Sequence, residues 1–476
     1  MPRVPRVPRV LGVPRVLCVR RTHGTQATRS TRGTHGTRGT HGTRGTHGPL
    51  PLVAPIQIQL RILEGFHRLN NALHCEGVSL VELADAEGTP LYVYSASTIA
   101  ARYRAIDEAF RGYPHSIHYA LKANSTLGIA RLLRSLGAAA DANSGGEIDV
   151  ALRAGFIPEQ IVFTGVGKTP AELAQAIDLG VSTINAESEG ELDRIDRLAR
   201  ERGTRVRVAL RVNPDIDARS HPHISTGLKV NKFGVPADAV RDICRRFAAR
   251  EGLEFAGLHT HVGSQITDLD PLKRAATTIV GLAKELKDDG ITIDHLDLGG
   301  GLGVSYDGAE VPSAQDYATA LLPIVRDSGL ALILEPGRHI VGPAGALLSR
   351  VVDIKDRPDG KAFVIIDAGM TELLRPMLYG AFHRIEPVLC APSSDQIVAD
   401  IVGPLCESSD TLGKDRRLAR PQPGDLFAVL DAGAYGAVMA SNYNRRTMPA
   451  EVLVHGGHWS VIRRRQTIDD LLALEI

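Results

Sequence analysis

Apolar and polar positions follow two alternating periods through the middle of the chain. Short apolar or β-branched runs are separated by segments whose apolar residues recur three and four positions apart, as in LGIARLLRSLG and PAELAQAIDLG. The first pattern predicts buried strands and the second predicts amphipathic helices. The predicted strands are Ile117–Ala123, Ala138–Ala142, Ile161–Gly165, Ser182–Ala186, Arg205–Asn213, Leu253–Val262, Ile293–Leu298 and Leu330–Glu335.

The predicted helices carry recognisable start and stop signals. Ser144 with Glu147, and Ser188 with Glu191, have the spacing of capping boxes. Eight strand–helix alternations within about 230 residues predict a closed, TIM-like (β/α)₈ barrel, and a doubly wound sheet is the alternative. Several helices are predicted to end at a glycine, namely Gly137, Gly180, Gly290 and Gly329.

The alternation stops after Arg338, and strand-like runs separated by turns follow, including KAFVIIDAG and GDLFAVLDAG. The stretch Val78 to Ser95, ahead of the barrel, has the same character. We therefore predict an α/β fold in which residues 98–342 form the barrel and residues 343–476 form an antiparallel β domain. Residues 51–97 are expected to contribute to that β domain.

The first 50 residues differ from the rest of the chain. They repeat PRV and then THGTRG, and they contain no Asp or Glu. Because this segment has too few large apolar groups to offset the entropy of ordering, we predict that it is disordered. An acid-free composition rich in Arg, Ser and Thr is also typical of an organelle transit peptide. A mis-assigned start codon is a further interpretation.

Composition narrows the class of protein. The chain has 476 residues, 43% of them hydrophobic, and a formal net charge of +1, so bulk charge indicates neither a nucleic-acid nor a membrane partner. Its five cysteines include no CxxC pair, which argues against a disulfide framework and a structural zinc site. No apolar run approaches the ~20 residues needed to cross a bilayer. We expect a cytoplasmic protein.

Lys122 ends the first predicted strand, and active sites of barrels form at such strand ends. A lysine in a partly desolvated cavity has a depressed pKa and can form a Schiff base with an aldehyde. A lysine that simply extends to solvent is the alternative interpretation.

Two later strand ends point to the same chemistry. The glycines of LDLGGGLG expose backbone N–H groups, as anion-binding sites do, although a plain tight turn explains them too. EPGR, which comprises Glu335, Gly337 and Arg338, offers an acid for the ring nitrogen of a pyridoxal phosphate and an arginine for its phosphate or a substrate carboxylate.

The segment GLHTHVGSQ supports two interpretations. Its His261 could stack on a flat ring, with Ser264 close by in the sequence. However, His-x-His at the end of a barrel strand is also a metal-ligand arrangement, so a metal-dependent barrel hydrolase is a hypothesis from a different class. Against that hypothesis, the first strand presents Lys122 instead of a metal ligand.

With these residues identified, the chain resembles the fold-type III decarboxylases that use pyridoxal phosphate, and most closely their diaminopimelate decarboxylase family. The resemblance extends from about residue 76 to the C-terminus. It is carried by YALKANS, DANSGGEI, IVFTGVGKT, INAESEGEL, RVNPDIDARSHPHISTGLKVNKFG, GLHTHVGSQ, LDLGGGLG, EPGR, DAGMTELLRPMLYGAFH, GPLCESSD and DAGAYG.

The resemblance implies the following roles. Lys122 holds the cofactor as a Schiff base, His261 stacks on its ring, Glu335 keeps the pyridine nitrogen protonated, and Cys406 donates the proton to Cα. The catalytic residues would then be Lys122, His261 and Cys406, and the other groups around the cofactor would be Ser264, Gly301, Gly337, Arg338 and Tyr435. A homodimer is also implied, in which CESSD reaches into the site of the partner subunit.

Arg375 and Tyr379 are four residues apart, so on a helical turn they face the same way. With Arg338 they could clamp a distal carboxylate, while Glu407 takes the distal ammonium and Tyr435 also contacts the substrate. This set suits meso-2,6-diaminopimelate, which would be decarboxylated to L-lysine and CO₂ in the last step of lysine biosynthesis. Alternatives are an ornithine- or arginine-type decarboxylase of the same fold and a non-catalytic carrier of the cofactor.

Overall fold

The structure is a computed structural model that describes residues 65–217, 226–227, 231–390 and 395–476. These residues all fall within one compact unit, Leu60–Ile476. The segment 1–50, for which disorder is predicted, lies outside the described residues, as does part of HISTGLKVNKFG.

The strands agree closely with the runs of apolar residues along the chain. They are β1 (Phe66–Leu69), β2 (Ala72–Cys75), β3 (Val78–Ser79), β4 (Leu91–Ser95), β5 (His115–Ala120), β6 (Ala139–Ala142), β7 (Ile161–Phe163), β8 (Thr183–Ala186), β9 (Val206–Asn213), β10 (Val235–Pro236), β11 (Leu253–His259), β12 (His295–Asp297), β13 (Ala331–Leu334), β14 (Gly345–Asp356), β15 (Ala362–Ile366), β16 (Ile385–Pro387), β17 (Gln396–Val402), β18 (Thr411–Ala419), β19 (Leu426–Val429), β20 (Ala450–His455) and β21 (His458–Arg463).

The helices lie mainly between the strands of the first half of the chain. They are α1 (Leu80–Glu87), α2 (Ala96–Phe110), α3 (Leu127–Ser135), α4 (Gly145–Ala154), α5 (Pro170–Leu179), α6 (Glu189–Glu201), α7 (Ala237–Phe247), α8 (Asp270–Asp288), α9 (Ala314–Arg326), α10 (Arg338–Val341), α11 (Arg375–Tyr379) and α12 (Ile468–Leu472). Within the described part of the chain, no helix is both long and apolar enough to cross a membrane.

The parallel strands close into a barrel. Hydrogen bonding follows the order β5–β6–β7–β8–β9–β11–β12–β13, and β13 then pairs with β5. The pairing of β8 with β9 is decisive, because an open, doubly wound sheet would have two unpaired edges. The predicted (β/α)₈ barrel is therefore confirmed.

The second sheet combines a strand that precedes the barrel in the sequence with strands that follow it. β4, which precedes the barrel, lies between β14 and β20 and is buried along its whole length. Alternate residues of β4 face two cores: Tyr92 and Tyr94 pack toward the barrel, whereas Leu91 and Val93 pack into a separate cluster on the other face. Most pairings are antiparallel, as expected, and β4–β20 and β15–β17 are parallel.

The helix starts follow the predicted capping signals. The hydroxyl of Ser144 accepts the N–H of Glu147, and that of Ser188 accepts the N–H of Glu191, each at 3.2 Å. Each glutamate then accepts the N–H of the residue before the serine, so the reciprocal bond is displaced by one residue from the standard capping box. The four predicted stop glycines, Gly137, Gly180, Gly290 and Gly329, all have positive φ.

The first predicted strand ends earlier than expected. β5 stops at Ala120, and a 3₁₀ turn, Leu121–Ala123, carries Lys122. An apolar run cannot distinguish a strand from a buried turn, because both place leucine and alanine in the core. The turn places the lysine at the carboxyl end of the barrel.

A close backbone crossing joins the loop after β19 to the barrel. A Cβ on Gly433 would collide with the carbonyl oxygen of Val341 and lie 2.9 Å from the backbone nitrogen of Gly345. The side-chain amide of Asn124, two residues after Lys122, donates to the carbonyl of Gly433 at 3.2 Å. Because position 433 carries no side chain, this loop of the β domain can pack closely against the turn that carries Lys122.

We expect Gly433→Ala to lower the free energy of unfolding by about 1–3 kcal/mol, because the added methyl group overpacks this crossing. The measurement is urea denaturation followed by intrinsic fluorescence. Gly457→Ala is the matched control, because a Cβ there would meet no atom within 4 Å. Equal denaturation midpoints for the two variants would contradict the expectation.

Candidate active site

Lys122 lies at the carboxyl end of the barrel beside two polar groups of the next strand and its loop. Its Nζ donates to Oδ2 of Asp141 at 2.9 Å and approaches Oδ1 of Asn143 at 3.4 Å. Asp141 is fully buried, and β5 and β6 are paired so that Ala120 lies opposite it. The register of the two strands therefore fixes the partner of the lysine.

The expectation that Lys122 has a depressed pKa is wrong for the cofactor-free protein. Burial lowers the pKa of Lys122, but the negative charges of Asp141 and Glu335 outweigh burial and raise it above its ordinary value. Sequence reasoning missed this because Asp141 is 19 residues away along the chain. The amine is therefore an ammonium ion at neutral pH.

His261 faces this site as a neutral imidazole. Its Nδ1 accepts the N–H of Gly300 at 3.2 Å, so this nitrogen carries no proton. Burial, Lys122 and Arg211 together lower the pKa of His261 well below its usual range. A neutral ring can lie against a flat, electron-poor ligand without adding charge repulsion.

The glycine run after β12 leaves room for its neighbours. A Cβ on Gly299 would lie 2.8 Å from Nδ1 of His261, and one on Gly300 would collide with the carbonyl oxygen of Glu335. Gly301 has a φ of +116° and lies against the carbonyl of Gly263. A side chain at position 299 would displace the imidazole of His261, and one at position 300 would displace the backbone of Glu335.

Glu335 follows β13 and is 3% exposed. Its Oε2 lies 3.5 Å from Nε2 of His259, which is ion-pair range and longer than an ordinary hydrogen bond. Its Oε1 is buried and has no hydrogen-bond partner. Since buried polar atoms are normally paired, this oxygen is suited to a ligand donor such as a ring N–H.

Arg338 joins the barrel to the β domain. Its guanidinium donates to Oγ of Ser264 at 3.0 and 3.2 Å and to the hydroxyl of Tyr306 at 2.8 Å. It also lies 4.8 Å from the ring centre of Tyr435. Tyr435 belongs to the loop after β19, and its backbone N–H donates to the carbonyl of Ala123 beside the lysine.

A cavity of about 350 Å³ opens at this point, and Arg338, Arg375 and Tyr379 are among its lining residues. The predicted helical turn that places Arg375 and Tyr379 together forms as α11. Although Arg375 is only 4% exposed, no ion pair joins its guanidinium to a carboxylate within the described part of the chain. Two buried guanidinium groups, those of Arg338 and Arg375, therefore face one cavity.

Two residues that sequence reasoning missed hold these arginines. Tyr306 lies between them: its hydroxyl accepts from Arg338, and its ring lies 4.7 Å from Cζ of Arg375. Nε2 of His383 accepts from Arg375 at 2.7 Å, and burial together with Arg375 lowers the pKa of His383 to about 3. The available signal was proximity to motifs: His383 is the last residue of DAGMTELLRPMLYGAFH, and Tyr306 lies three residues after LDLGGGLG.

Cys406 and Glu407 do not join this group within one chain. Both are exposed, and neither is among the described residues that line the cavity. Their loop is held by the carboxylate of Asp410, which accepts the N–H groups of Leu405 at 2.9 Å and Met370 at 2.6 Å. The loop is therefore ordered, and its Cys406 and Glu407 are exposed on the surface of the chain.

Comparison with known proteins identifies the family. The model of the pyridoxal-dependent decarboxylase family, for its pyridoxal binding domain, matches residues 96–342. Diaminopimelate decarboxylase of Pseudomonas aeruginosa is 46% identical over 413 residues, which is 87% of this chain and 99% of that protein. The chain belongs to the diaminopimelate decarboxylase family. The corresponding protein of Aquifex aeolicus is 45% identical over 83% of this chain and 94% of its own length.

Solved structures agree with this assignment. Diaminopimelate decarboxylase of Helicobacter pylori complexed with L-lysine has a TM-score of 0.80 at 43% identity and covers 83% of this chain and 98% of that one. The M. jannaschii enzyme in co-complex with L-lysine has a TM-score of 0.83 at 38% identity, covering 87% and 98%. A lysine/ornithine decarboxylase from Vibrio vulnificus, at 22% identity and a TM-score of 0.69, shares the fold alone.

Pyridoxal phosphate is the cofactor of this family, and the residues of this chain fit it. The unpaired Oε1 of Glu335 suits a pyridine N–H, and the amine of Lys122 is suited to the cofactor's aldehyde. Gly337 is packed tightly: a Cβ there would lie 2.8 Å from the Cβ of Ala123 and 3.1 Å from that of Ala120. Gly337 therefore allows the segment after β13 to pack closely against the turn that carries Lys122.

We expect Asp141→Asn to speed the capture of pyridoxal phosphate by the cofactor-free enzyme at neutral pH. Only the neutral amine attacks an aldehyde, and removal of the Asp141 charge lowers the pKa of Lys122. The midpoint of the rate against pH should move down by about one to two units. Stopped-flow absorbance measures the rate, and Asp149→Asn on the outer helix α4 is the control. An unchanged midpoint would contradict this account.

Proposed function

We propose that this protein decarboxylates meso-2,6-diaminopimelate to L-lysine and CO₂, the last step of lysine biosynthesis. The observation that carries the choice of substrate is the pair of buried guanidinium groups, Arg338 and Arg375, that face one cavity. Two buried cations attract a distal carboxylate, and they repel the distal cation of ornithine or arginine. Diaminopimelate has that carboxylate.

The residues around Lys122 bind and orient the reacting groups. Lys122 would hold the cofactor through its amine, His261 would pack against the cofactor ring, and Glu335 would hold a proton at the ring nitrogen. When bound, pyridoxal phosphate supplies the electron sink that stabilises the carbanion left by loss of CO₂. The groups assigned to the phosphate are Ser264, Gly301, Gly337, Arg338 and Tyr435.

The proton delivered to Cα is assigned to Cys406 of a second subunit. A homodimer is part of the proposal: Cys406 is exposed and is not among the described residues that line the cavity of its own chain, so a second subunit would bring it to Lys122. Two apolar side chains beside the cavity, Leu378 at 42% and Phe382 at 43% exposure, suit such an interface. Glu407, which neighbours the cysteine, would then bind the distal ammonium, with Tyr379 and Tyr435 on the other side.

A cytoplasmic location is part of the proposal. It is supported by the four cysteines in the described residues, all of which are free thiols. The transit peptide and the absence of a nucleic-acid partner stay predictions from sequence. We also propose the domain division predicted from sequence: residues 98–342 form the barrel that binds the cofactor, and residues 51–97 and 343–476 form the β domain. The active site then lies where residues 98–342 meet residues 343–476.

We expect purified protein to release CO₂ from meso-diaminopimelate and not from L-ornithine or L-arginine. Arg375→Met should raise KM for diaminopimelate by about 10- to 100-fold and leave the absorbance of the bound cofactor unchanged, because a charge-assisted contact to the distal carboxylate is lost. Arg417→Met, on the exposed side of β18, is the matched control. Comparable CO₂ release from ornithine would favour the runner-up activity.

Shared sites predict complementation between two inactive variants. Lys122→Ala and Cys406→Ala are each expected to lose activity, but co-expressed with different tags they should recover about a quarter of the wild-type activity. Half of the dimers are then mixed, and each mixed dimer has one site with both residues intact. Analytical ultracentrifugation checks the dimer itself. If the cysteine acted within its own chain, the mixture would stay inactive.

A further inference from the structure

Three ionisable side chains form a buried cluster beneath the cofactor site. His259 ends β11, Asp297 ends β12, and Glu335 follows β13 directly. The strands are paired so that His259 lies opposite Asp297, and the N–H of Glu335 donates to the carbonyl of Gly299 at 2.8 Å. One atom from each side chain lies within 4.8 Å of the others, and all three residues are buried.

The cluster has more oxygen atoms than hydrogen-bond donors. Oδ1 of Asp297 accepts the N–H of Gly299 at 2.8 Å, but its Oδ2 is buried and unpaired, as are Oε1 of Glu335 and both ring nitrogens of His259. Two ionised carboxylates this close in a dry interior repel each other strongly. One added proton neutralises one of the two carboxylates. This removes the repulsion, and the new hydroxyl group can donate a hydrogen bond within the cluster.

The surroundings determine which acid carries that proton. Burial and the nearby Glu335 raise the pKa of Asp297 well above its usual range. Burial would also raise the pKa of Glu335, but His259 and Lys122 lower it below its usual range. The pKa values of the two carboxyl groups are therefore shifted in opposite directions, as in enzymes where one acid of a pair stays neutral.

We propose that Asp297, as a neutral acid, and His259 are positioning residues that hold the carboxylate of Glu335 and keep its charge, so that it can accept the N–H of the cofactor's ring nitrogen. This inference rests on the proposed function, because it assigns Glu335 to that nitrogen. It concerns residues that contact neither substrate nor cofactor and act only through Glu335. No bond is made or broken in this role.

A protonated aspartic acid and an asparagine have nearly the same shape, and each has a carbonyl oxygen that accepts and a group that donates, the acid O–H or the amide N–H₂. In Asp297→Asn the amide oxygen can accept the N–H of Gly299, and the amide N–H₂ can donate to Glu335. If Asp297 were ionised in the working enzyme, the same substitution would remove a required charge. The asparagine variant therefore separates the two protonation states.

Infrared difference spectroscopy of the cofactor-free protein tests the protonation directly. The wild-type protein should show the carbonyl stretch of a buried carboxylic acid, and Asp297→Asn should lose it. Asp294→Asn is the control and should keep the band, because Asp294 directly precedes β12 and its side chain is 56% exposed. A wild-type protein without this band would overturn the proposal, whatever the enzyme is found to decarboxylate.

Kinetics and ring-nitrogen protonation test the role. Asp297→Asn should keep kcat within about threefold, whereas His259→Leu and Asp297→Leu should lower kcat about 10- to 100-fold with little change in KM. The ¹⁵N shift of labelled pyridoxal phosphate should indicate a protonated nitrogen in wild type and Asp297→Asn, and a deprotonated one in the leucine variants. His259→Gln, which keeps a donor, should restore part of the loss.

The outcomes separate this inference from the proposed function. Loss of activity in Asp297→Asn, or an unchanged ¹⁵N shift in both leucine variants, would overturn the positioning role even if diaminopimelate is the substrate. Should a leucine variant fail to fold, His259→Gln, Asp297→Asn and the infrared band still decide the question. A histidine and two carboxylates also suit a divalent cation, so stoichiometric metal in the active holoenzyme would overturn the proposal as well.

Discussion

Closure of the parallel sheet is the constraint on which the site depends. Because β8 pairs with β9 and β13 pairs with β5, the carboxyl ends of all eight strands meet at one mouth. Residues as distant in sequence as Lys122 and Glu335 then influence each other's charge. An open sheet would have separated the first and last strands, and no such coupling would exist.

Burial makes the mouth a place where charge must be balanced locally. Lys122 is paired with Asp141, whereas the two arginines of the cavity are held by Tyr306, whose aromatic ring and hydroxyl carry no net charge. Tyrosine leaves the positive charge of the cavity available for a carboxylate ligand, whereas an aspartate in its place would neutralise it. The choice of partner thus determines which ligand charge the site accepts.

The β domain completes the site from two directions. Its loop after β19 supplies Tyr435 against Arg338, and the close crossing at Gly433 fixes that loop to the lysine turn. Its loop around Cys406, held by Asp410, is presented to the outside instead. One domain therefore serves the cavity of its own chain, and in the proposed dimer it also serves the cavity of the neighbouring chain.

Hydrophobic periodicity determined the barrel, the β domain and most helix boundaries, because burial of apolar residues acts locally and repeats with each element. The motifs also singled out Lys122, Glu335, Arg338 and Arg375. Only the tertiary structure decided that Lys122 stands on a turn with a raised pKa, and that Tyr306 and His383 hold the arginines. Those properties depend on charged groups and aromatic rings that the fold brings together across the barrel mouth. The order of residues along the chain does not give the distances between them.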